Sequence, residues 1–264
     1  MTGGARPGGT VLILGSAPDA PRAAGWPRDA FDHLVAINNA WRIRPDWSHM
    51  IHPKDFPPER RPTAVGPGQT VLSYPDYVPV VNDHGGFVFC GGTMAFTAAY
   101  WALGALRPRG IAFLGCDMVY DASGDTHFYG RGAPDPLRDD LSLRDLGARS
   151  ARFALIAAAE GCAAVNLSER HESRLLLPRL TIGALRERGA LPSTRDAAAL
   201  RAGVAELRRD EEALGYQVPS GRYWREADRF DAGALAAFDT RWRALLTLAG
   251  LAPAEPALGP AGRA

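Results

Sequence analysis

The sequence predicts an α/β fold with a mainly parallel sheet, followed by a helical C-terminal region. Short apolar runs rich in β-branched residues end in Gly or Asn, which is typical of buried parallel strands. Segments with helical periodicity lie between several of these runs, as in a parallel α/β sheet. Beyond about residue 180 the apolar runs stop and only helical patterns remain. These observations favour one sheet domain with helices added after it.

Six segments are predicted as strands. They are TVLILG (10–15), HLVAINNAW (33–41), SHMIHP (48–53), TVLSYP (70–75), GIAFLGCDM (110–118) and AAVNLS (163–168). The fifth is the strongest of these strand predictions.

Four segments are predicted as helices. Residues 93–106 are apolar on all sides, which predicts a buried helix, and residues 143–162 are amphipathic with Gly161 placed as the C-cap. Residues 193–215 and 231–251 are helical and begin with Ser or Asp caps. We expect a folded domain over 10–180 and a helical region over 181–252. The Gly/Pro-rich stretches 1–9 and 253–264 are expected to be disordered.

The composition narrows the class of protein. The 264 residues carry a formal net charge of +1, which argues against nucleic acid as the main partner. The three cysteines lie in apolar runs without C-x-x-C spacing, which indicates buried free thiols in a reducing compartment. No run reaches the roughly 18 apolar residues that a membrane span needs. The first ten residues have no apolar core of a signal peptide. We therefore expect a cytoplasmic protein.

Small or polar residues follow four of the predicted strands and precede the buried helix. In an open parallel sheet, ligands bind beyond the carboxyl ends of the strands. We therefore expect these residues to converge on one site: Gly15, Ser16 and Ala17; Asn38 and Asn39; Gly92 and Thr93; Asp117, Tyr120, Asp121, Asp125, His127 and Tyr129; Asn166 and Ser168.

Two known nucleotide motifs are missing from the first turn. The segment GSAPDA lacks the second Gly of G-x-G-x-x-G, and no Walker Lys follows it.

His127 is the best candidate proton carrier because its side chain titrates near neutrality and its loop is bounded by Gly and Pro. Metal binding by His49 and His52 is disfavoured because neighbours three apart on a strand face opposite ways. The spacing of Asp117, Asp121 and Asp125 fits no defined cation loop.

The order of these motifs resembles bacterial sialyltransferases of glycosyltransferase family 42. The matching segments are VLILGSAPDA, VAINNAW, GGTMAFTAAYWALGALRPRGIAFLGCDMVY, THFYG and NLSERHESRLL, over roughly residues 10–180. It also resembles the related motility-associated factors and archaeal hydroxymethylpterin diphosphokinases. The resemblance implies a Rossmann-like catalytic domain with helices on both faces of the sheet and a small helical lid. It also implies inverting, metal-independent transfer of sialic acid from a CMP-activated donor to a glycan hydroxyl.

The resemblance also implies roles for individual residues. His127 would be the general base, and Tyr120 and Tyr129 would bind the leaving phosphate. Asn38 and the turn of Gly15, Ser16 and Ala17 would bind the nucleotide, and Gly92 and Thr93 would contact the donor sugar. The remaining predicted nucleotide contacts are Asn39, Asp117, Asn166 and Ser168.

The first turn departs from the family, whose Gly-Asn-Gly-Pro-Ser is here Gly-Ser-Ala-Pro-Asp. Ser16 replaces a nucleotide-binding Asn, and Asp19 would add negative charge if it faced a phosphate. The lid tyrosines match by neighbourhood rather than by fixed spacing. The donor sugar and its nucleotide therefore stay open.

Two other functions also stay open. One is a Mg²⁺-dependent diphosphotransfer to a small heterocycle, with Asp117 and either Asp121 or Asp125 binding the ion. The other is an inactive nucleotide- or glycan-binding module. The aromatic stretch 215–230 could pack on the domain, line an acceptor cleft or form an oligomer contact. Arg170, Arg174 and Arg179 could meet an anionic ligand or be solvated.

Overall fold

The structure, a computed structural model, describes residues 8–120, 124–132, 138–188, 194 and 196–253. Most of the two terminal stretches predicted to be disordered, and the candidate Asp121, lie outside these residues. Within the described part of the chain, no helix is both long and apolar enough to cross a membrane.

Six strands form one all-parallel sheet, which confirms the predicted α/β class. They are β1 Thr10–Leu14, β2 His33–Ile37, β3 His49–Ile51, β4 Thr70–Leu72, β5 Gly110–Leu114 and β6 Ala163–Asn166. Their order in the sheet is β4-β3-β2-β1-β5-β6. This Rossmann-like arrangement places β1 between β2 and β5, so the strand order reverses beside β1.

Seven α-helices accompany the sheet in the described residues. They are α1 Tyr74–Asp83, α2 Phe87–Cys90, α3 Met94–Leu106, α4 Leu146–Ala159, α5 Ile182–Arg188, α6 Ala197–Ala213 and α7 Ala232–Leu248. Helices α3 and α4 pack together beside the sheet, and α6 and α7 pack on α4. The C-terminal helices therefore form an outer layer on the same body.

The strands are buried on both faces because alternate side chains enter two different cores. Val11, Ile13 and Phe113 join the larger core under α1–α4, α6 and α7. Leu12 and Leu14 join a smaller core, which is covered by 3-10 turns after β1 and β2 and by residues of α5. The apolar runs of the sequence follow from this two-sided burial.

Several predicted boundaries need correction. The predicted strand 110–118 ends at Leu114, because Gly115 has φ +71° and turns the chain away from the strand direction. The predicted strand 70–75 ends at Leu72, and α1 begins at Tyr74. The predicted helix 143–162 begins at Leu146, where Asp145 accepts a hydrogen bond from the Ala148 N–H at 2.8 Å and caps it.

Candidate functional site

A cleft of about 1520 Å³ opens at the carboxyl edge of the sheet. It lies where the strand order reverses, which is where open α/β sheets bind ligands. Most of the candidate residues line it, namely Gly15, Ser16, Ala17, Asn38, Asn39, Gly92, Thr93, Tyr120, His127 and Tyr129. The structure thus brings together residues from the ends of β1 and β2, the start of α3 and the loop after β5.

The floor of the cleft depends on two glycines. The Gly15 N–H donates to the Leu114 carbonyl at 2.8 Å, and the Ala17 N–H donates to the Gly115 carbonyl at 3.0 Å. A Cβ atom on Gly15 would lie 2.2 Å from the Gly115 carbonyl oxygen. Only glycine allows the chain after β1 to approach the chain after β5 this closely.

Asn38 and Asn39 present amide oxygens that no described residue satisfies. Both Oδ1 atoms are buried without a hydrogen-bond partner. Asn38 also has φ +53°, a left-handed conformation that Asn tolerates better than most residues. A buried polar atom without a partner costs free energy unless a ligand supplies the bond. Both residues line the cleft, so their side chains are candidates to accept a hydrogen bond from an amino group or a hydroxyl of a ligand.

The N-terminus of α3 is part of the same wall. Thr93 caps the helix by accepting a hydrogen bond from the Phe96 N–H at 3.2 Å. Met94 and Ala95 follow in the first turn and also line the cleft. The first N–H groups of a helix have no intrahelical partner, and the helix dipole favours negative charge there. This end of α3 is suited to a phosphate.

His127 lies in a tight hairpin tied to the first turn of the domain. Its N–H and C=O exchange hydrogen bonds with Gly130 at 3.1 and 3.0 Å, and the Phe128 N–H donates to the Ser16 carbonyl at 3.0 Å. The His127 ring stacks on Tyr129 with centroids 4.9 Å apart and lies 6.3 Å from the ring of Tyr120. Partial burial lowers the pKa of His127 below its ordinary value of 6.5. The neutral imidazole thus predominates at neutral pH.

Thr126 contacts the imidazole ring of His127 directly. Its Oγ1 lies 2.9 Å from His127 Nδ1, accepts from the Gly132 N–H at 2.9 Å and lies 3.3 Å from the Gly132 carbonyl. In one arrangement that these distances allow, the hydroxyl donates to the carbonyl and accepts from Nδ1–H. The lone pair is then on Nε2, which has no partner among the described residues. This tautomer is the one that a general base requires.

Asp117, Asn166 and Ser168 do not line the cleft but form their own buried group. Asn166 Nδ2 donates to Asp117 Oδ1 at 3.3 Å, and the Ser168 N–H donates to Asn166 Oδ1 at 3.0 Å. Ser168 Oγ donates to Asp19 Oδ2 at 3.1 Å, so the carboxylate of Asp19 is directed into this group rather than toward the cleft. Burial and the nearby Asp117 raise the pKa of Asp19. These side chains connect the ends of β1, β5 and β6.

The histidines and cysteines that were weighed as metal ligands or thiols have their own surroundings in the structure. The described residues contain no group of three His, Cys, Asp or Glu side chains able to hold a metal ion. His49 packs on the ring of Trp101 at 4.9 Å, and His52 Nδ1 lies 2.8 Å from the Pro53 carbonyl oxygen, so the two histidines have separate partners. The three cysteines are buried and free, as predicted.

The sequence interpretation missed much of the basic wall of the cleft. Seven basic and three acidic described side chains line it, although the whole chain has a net charge of only +1. The basic residues are Arg42, Lys54, Arg60, Arg131, Arg138, Arg222 and Arg225. They are spread over residues 42–225, so no local run of basic residues marks this wall in the sequence. The positive excess favours an anionic ligand.

The segment 221–225 closes the cleft from the C-terminal region. Tyr223 is 4% exposed, and its hydroxyl donates to Asp140 Oδ2 at 2.7 Å. A Cβ on Gly92 would lie 2.4 Å from that hydroxyl, so the tyrosine rests directly on the turn before α3. Burial alone would raise the pKa of Asp140, but hydrogen bonds from Tyr223 and Ser142 outweigh it and lower that pKa. The stretch 215–230 was expected to pack on the domain, line an acceptor cleft or form an oligomer contact. Within it, Tyr223 both packs on the domain and forms part of the cleft wall.

No protein-family model, curated protein or solved structure matches the chain. The likeness to glycosyltransferase family 42 therefore stays a resemblance of motifs.

Proposed function

We propose that the chain is an inverting, metal-independent glycosyltransferase that moves a sialic acid-like sugar from a CMP-activated donor to a glycan hydroxyl. The observation that carries the proposal is the pairing of two kinds of group in one cleft. The amide oxygens of Asn38 and Asn39 lack partners, and His127 has a neutral ring with Nε2 unoccupied by any described residue. The first group recognises a nucleoside, and the second removes a proton.

The donor is accommodated by the inner part of the cleft. The unpaired amide oxygens suit the amino group of cytosine or the ribose hydroxyls, which are hydrogen-bond donors. The N-terminus of α3 and the basic side chains of the wall suit the phosphate of a CMP-activated sugar. Asp19 does not oppose this, because its carboxylate bonds to Ser168 outside the lining of the cleft.

The chemistry requires one base and a stabilised leaving group. His127 Nε2 takes the proton of the acceptor hydroxyl as the acceptor oxygen bonds to the anomeric carbon. The bond from that carbon to the phosphate oxygen breaks, and CMP leaves as an anion. Tyr120 and Tyr129, whose rings lie 6.3 and 4.9 Å from that of His127, can donate hydrogen bonds to that phosphate.

The diphosphotransfer alternative is less well supported by the position of Asp117. Its Oδ1 accepts from Asn166, and the residue does not line the cleft that would hold the nucleotide phosphates. Asp125 is exposed in the loop before His127. A third possibility, a binding module without turnover, requires the same cleft and differs only in the role of His127.

A thermal-shift panel tests the proposal. The protein is heated with CMP, CDP, UDP, GDP or ATP, each with Mg²⁺ and with EDTA. A ligand at 100 times its Kd stabilises the folded state by about 2.7 kcal/mol, which gives a readily measured shift in Tm. We expect CMP to stabilise the protein equally with Mg²⁺ and with EDTA, and Asn39→Ala to reduce the shift. Stabilisation by ATP only with Mg²⁺ would favour diphosphotransfer.

Turnover separates the transferase from the binding module. We expect release of CMP from CMP-sialic acid, measured with a panel of glycan acceptors. His127→Ala should lose this release by on the order of 100-fold or more while keeping the CMP shift in Tm. His171→Ala is the control, because His171 is exposed and does not line the cleft. Binding of CMP without any release, unchanged in His127→Ala, would favour the module.

A further inference from the structure

Two of the few exposed large apolar side chains lie on the same cleft. Among the described residues, Trp224 is 57% exposed and Tyr129 is 41% exposed, and both line the cleft. The other two, Val65 and Leu248, do not line it. An exposed indole ring is costly in water and is typical of a ligand contact when it borders a concave site.

The backbone at Trp224 is fixed by the contacts of the preceding residue, Tyr223. Tyr223 is buried and bonded to Asp140, and its ring stacks on Phe87 with centroids 6.1 Å apart. The ring of Trp224 meets that of Tyr223 edge to face at 5.6 Å. Because Tyr223 is anchored on both sides, the exposed ring of Trp224 is presented from a fixed backbone.

Arg222 and Arg225 are close to Trp224 in the chain and also line the cleft. Neither guanidinium makes a hydrogen bond or an ion pair with any described residue, whereas Arg241 and Arg243 of α7 are paired with acids. A planar guanidinium binds a carboxylate, phosphate or sulfate with two parallel hydrogen bonds. The two arginines therefore supply unused anion-binding capacity in the cleft that Trp224 also lines.

The cleft is larger than one small ligand needs. Small-molecule sites measure about 300–1000 Å³, and this cleft measures about 1520 Å³. A nucleotide-activated sugar at Asn38, Asn39 and the N-terminus of α3 leaves room for a second molecule. The segment 221–225 belongs to the C-terminal region, and those donor-binding elements belong to the sheet domain.

We propose that Trp224, Arg222 and Arg225 form a separate subsite for an anionic oligosaccharide. The indole ring stacks on the apolar face of a sugar, and the two guanidiniums bind its carboxylate or other anionic group. The identification of this molecule as the acceptor rests on the proposed function. Its binding at this subsite is independent of that function.

Oligosaccharide binding tests the subsite. The probes are a hyaluronan tetrasaccharide, which carries carboxylates, and chitotetraose, a neutral sugar of the same length. Binding is measured by calorimetry at 0.15 M salt, with and without CMP. We expect the anionic probe to bind and the neutral probe to bind on the order of tenfold more weakly, since an aromatic contact alone remains.

Matched variants locate the binding. Trp224→Ala and the double variant Arg222→Ala/Arg225→Ala should each weaken the anionic probe on the order of tenfold, while Trp224→Phe keeps most of the affinity. Arg201→Ala is the control, because Arg201 is exposed on α6 and does not line the cleft. A Tm equal to that of the unchanged protein shows that each variant is folded.

The outcomes separate this inference from the proposed function. No binding of the anionic probe, equal binding of both probes, or full binding by Trp224→Ala would overturn the subsite. None of these results bears on the CMP shift in Tm, which tests the donor site. If CMP fails to bind but the anionic probe binds and depends on Trp224, the subsite stands and the transferase proposal falls.

Discussion

Arg152 of α4 and Glu211 of α6 form a buried pair joined by two parallel hydrogen bonds. The Nε–Oε1 distance is 2.9 Å and the Nη2–Oε2 distance is 2.7 Å, with the side chains 0% and 3% exposed. Trp242 of α7 adds a third bond, from its Nε1 to Oε1 of Glu211 at 2.7 Å. This connection makes the C-terminal helices part of the same folded unit as the sheet. The wall of the cleft that contains Tyr223 and Trp224 therefore belongs to a region that packs directly on α4.

Removing the carboxylate should destabilise the whole chain. In Glu211→Ala, the buried guanidinium of Arg152 loses its charged partner, which costs about 3–5 kcal/mol of unfolding free energy. Glu206→Ala is the control, since Glu206 lies on the same helix and makes an exposed pair with Arg241 at 3.5 Å. We expect that control to cost less than about 1 kcal/mol. Urea unfolding followed by tryptophan fluorescence measures both, and equal losses would contradict the structural role of the pair.

The contact between Gly15 and Gly115 leads to a second prediction. A methyl group on Gly15 would lie 2.2 Å from the Gly115 carbonyl oxygen and 2.7 Å from Cys116 Sγ, so β1 and β5 would have to separate. Gly15→Ala should therefore cost about 3 kcal/mol or more, at the upper end for overpacking. At Gly25, a Cβ would meet nothing within 4 Å. Gly25→Ala should change the unfolding free energy by less than about 0.5 kcal/mol, and a similar loss in both variants would contradict the steric argument.

The strands could be predicted because of how they are buried. A parallel strand covered on both faces reads as a continuous apolar run, and all six runs became strands. Helix α1 was missed because it contains Pro75 and Pro79, which favour a turn in any pattern-based interpretation. The early end of β5 depends on the positive φ of Gly115, which the apolar pattern did not reveal.

The site was predictable only in part, because some of its residues follow strands and others meet through contacts between distant segments. Parallel strands bring their carboxyl ends to one edge, so Gly15, Asn38 and His127 could be grouped from sequence order alone. The wall formed by Tyr223 depends on a hydrogen bond to Asp140, 83 residues away. Nothing local in the sequence encodes such a pairing. The direction of Asp117 also could not be predicted, because it depends on Asn166 and the neighbouring strand.

The pKa of His127 can be measured without knowing any substrate. Partial burial disfavours the charged imidazolium, so the pKa lies below 6.5 and the neutral base persists as the pH falls through that value. NMR titration of the ring C–H resonance, assigned with His127→Ala, gives the value directly. Exposed His171 provides an internal comparison. A His127 pKa at or above 6.5 would contradict the burial. If His127 is the base, the acid limb of kcat/KM should follow the same pKa.

Thr126 should control catalysis through the tautomer of His127 rather than through substrate contact. In Thr126→Val, the hydroxyl that accepts from Nδ1–H is lost, and the ring is free to move its proton to Nε2. We expect kcat for CMP release to fall on the order of tenfold, a fraction of what a general base contributes, with little change in KM for the donor. Thr126→Ser keeps the hydroxyl and should keep kcat. The ¹⁵N shifts of the imidazole report the tautomer independently of activity. A Thr126→Val protein that keeps the proton on Nδ1 would show that Thr126 does not select it.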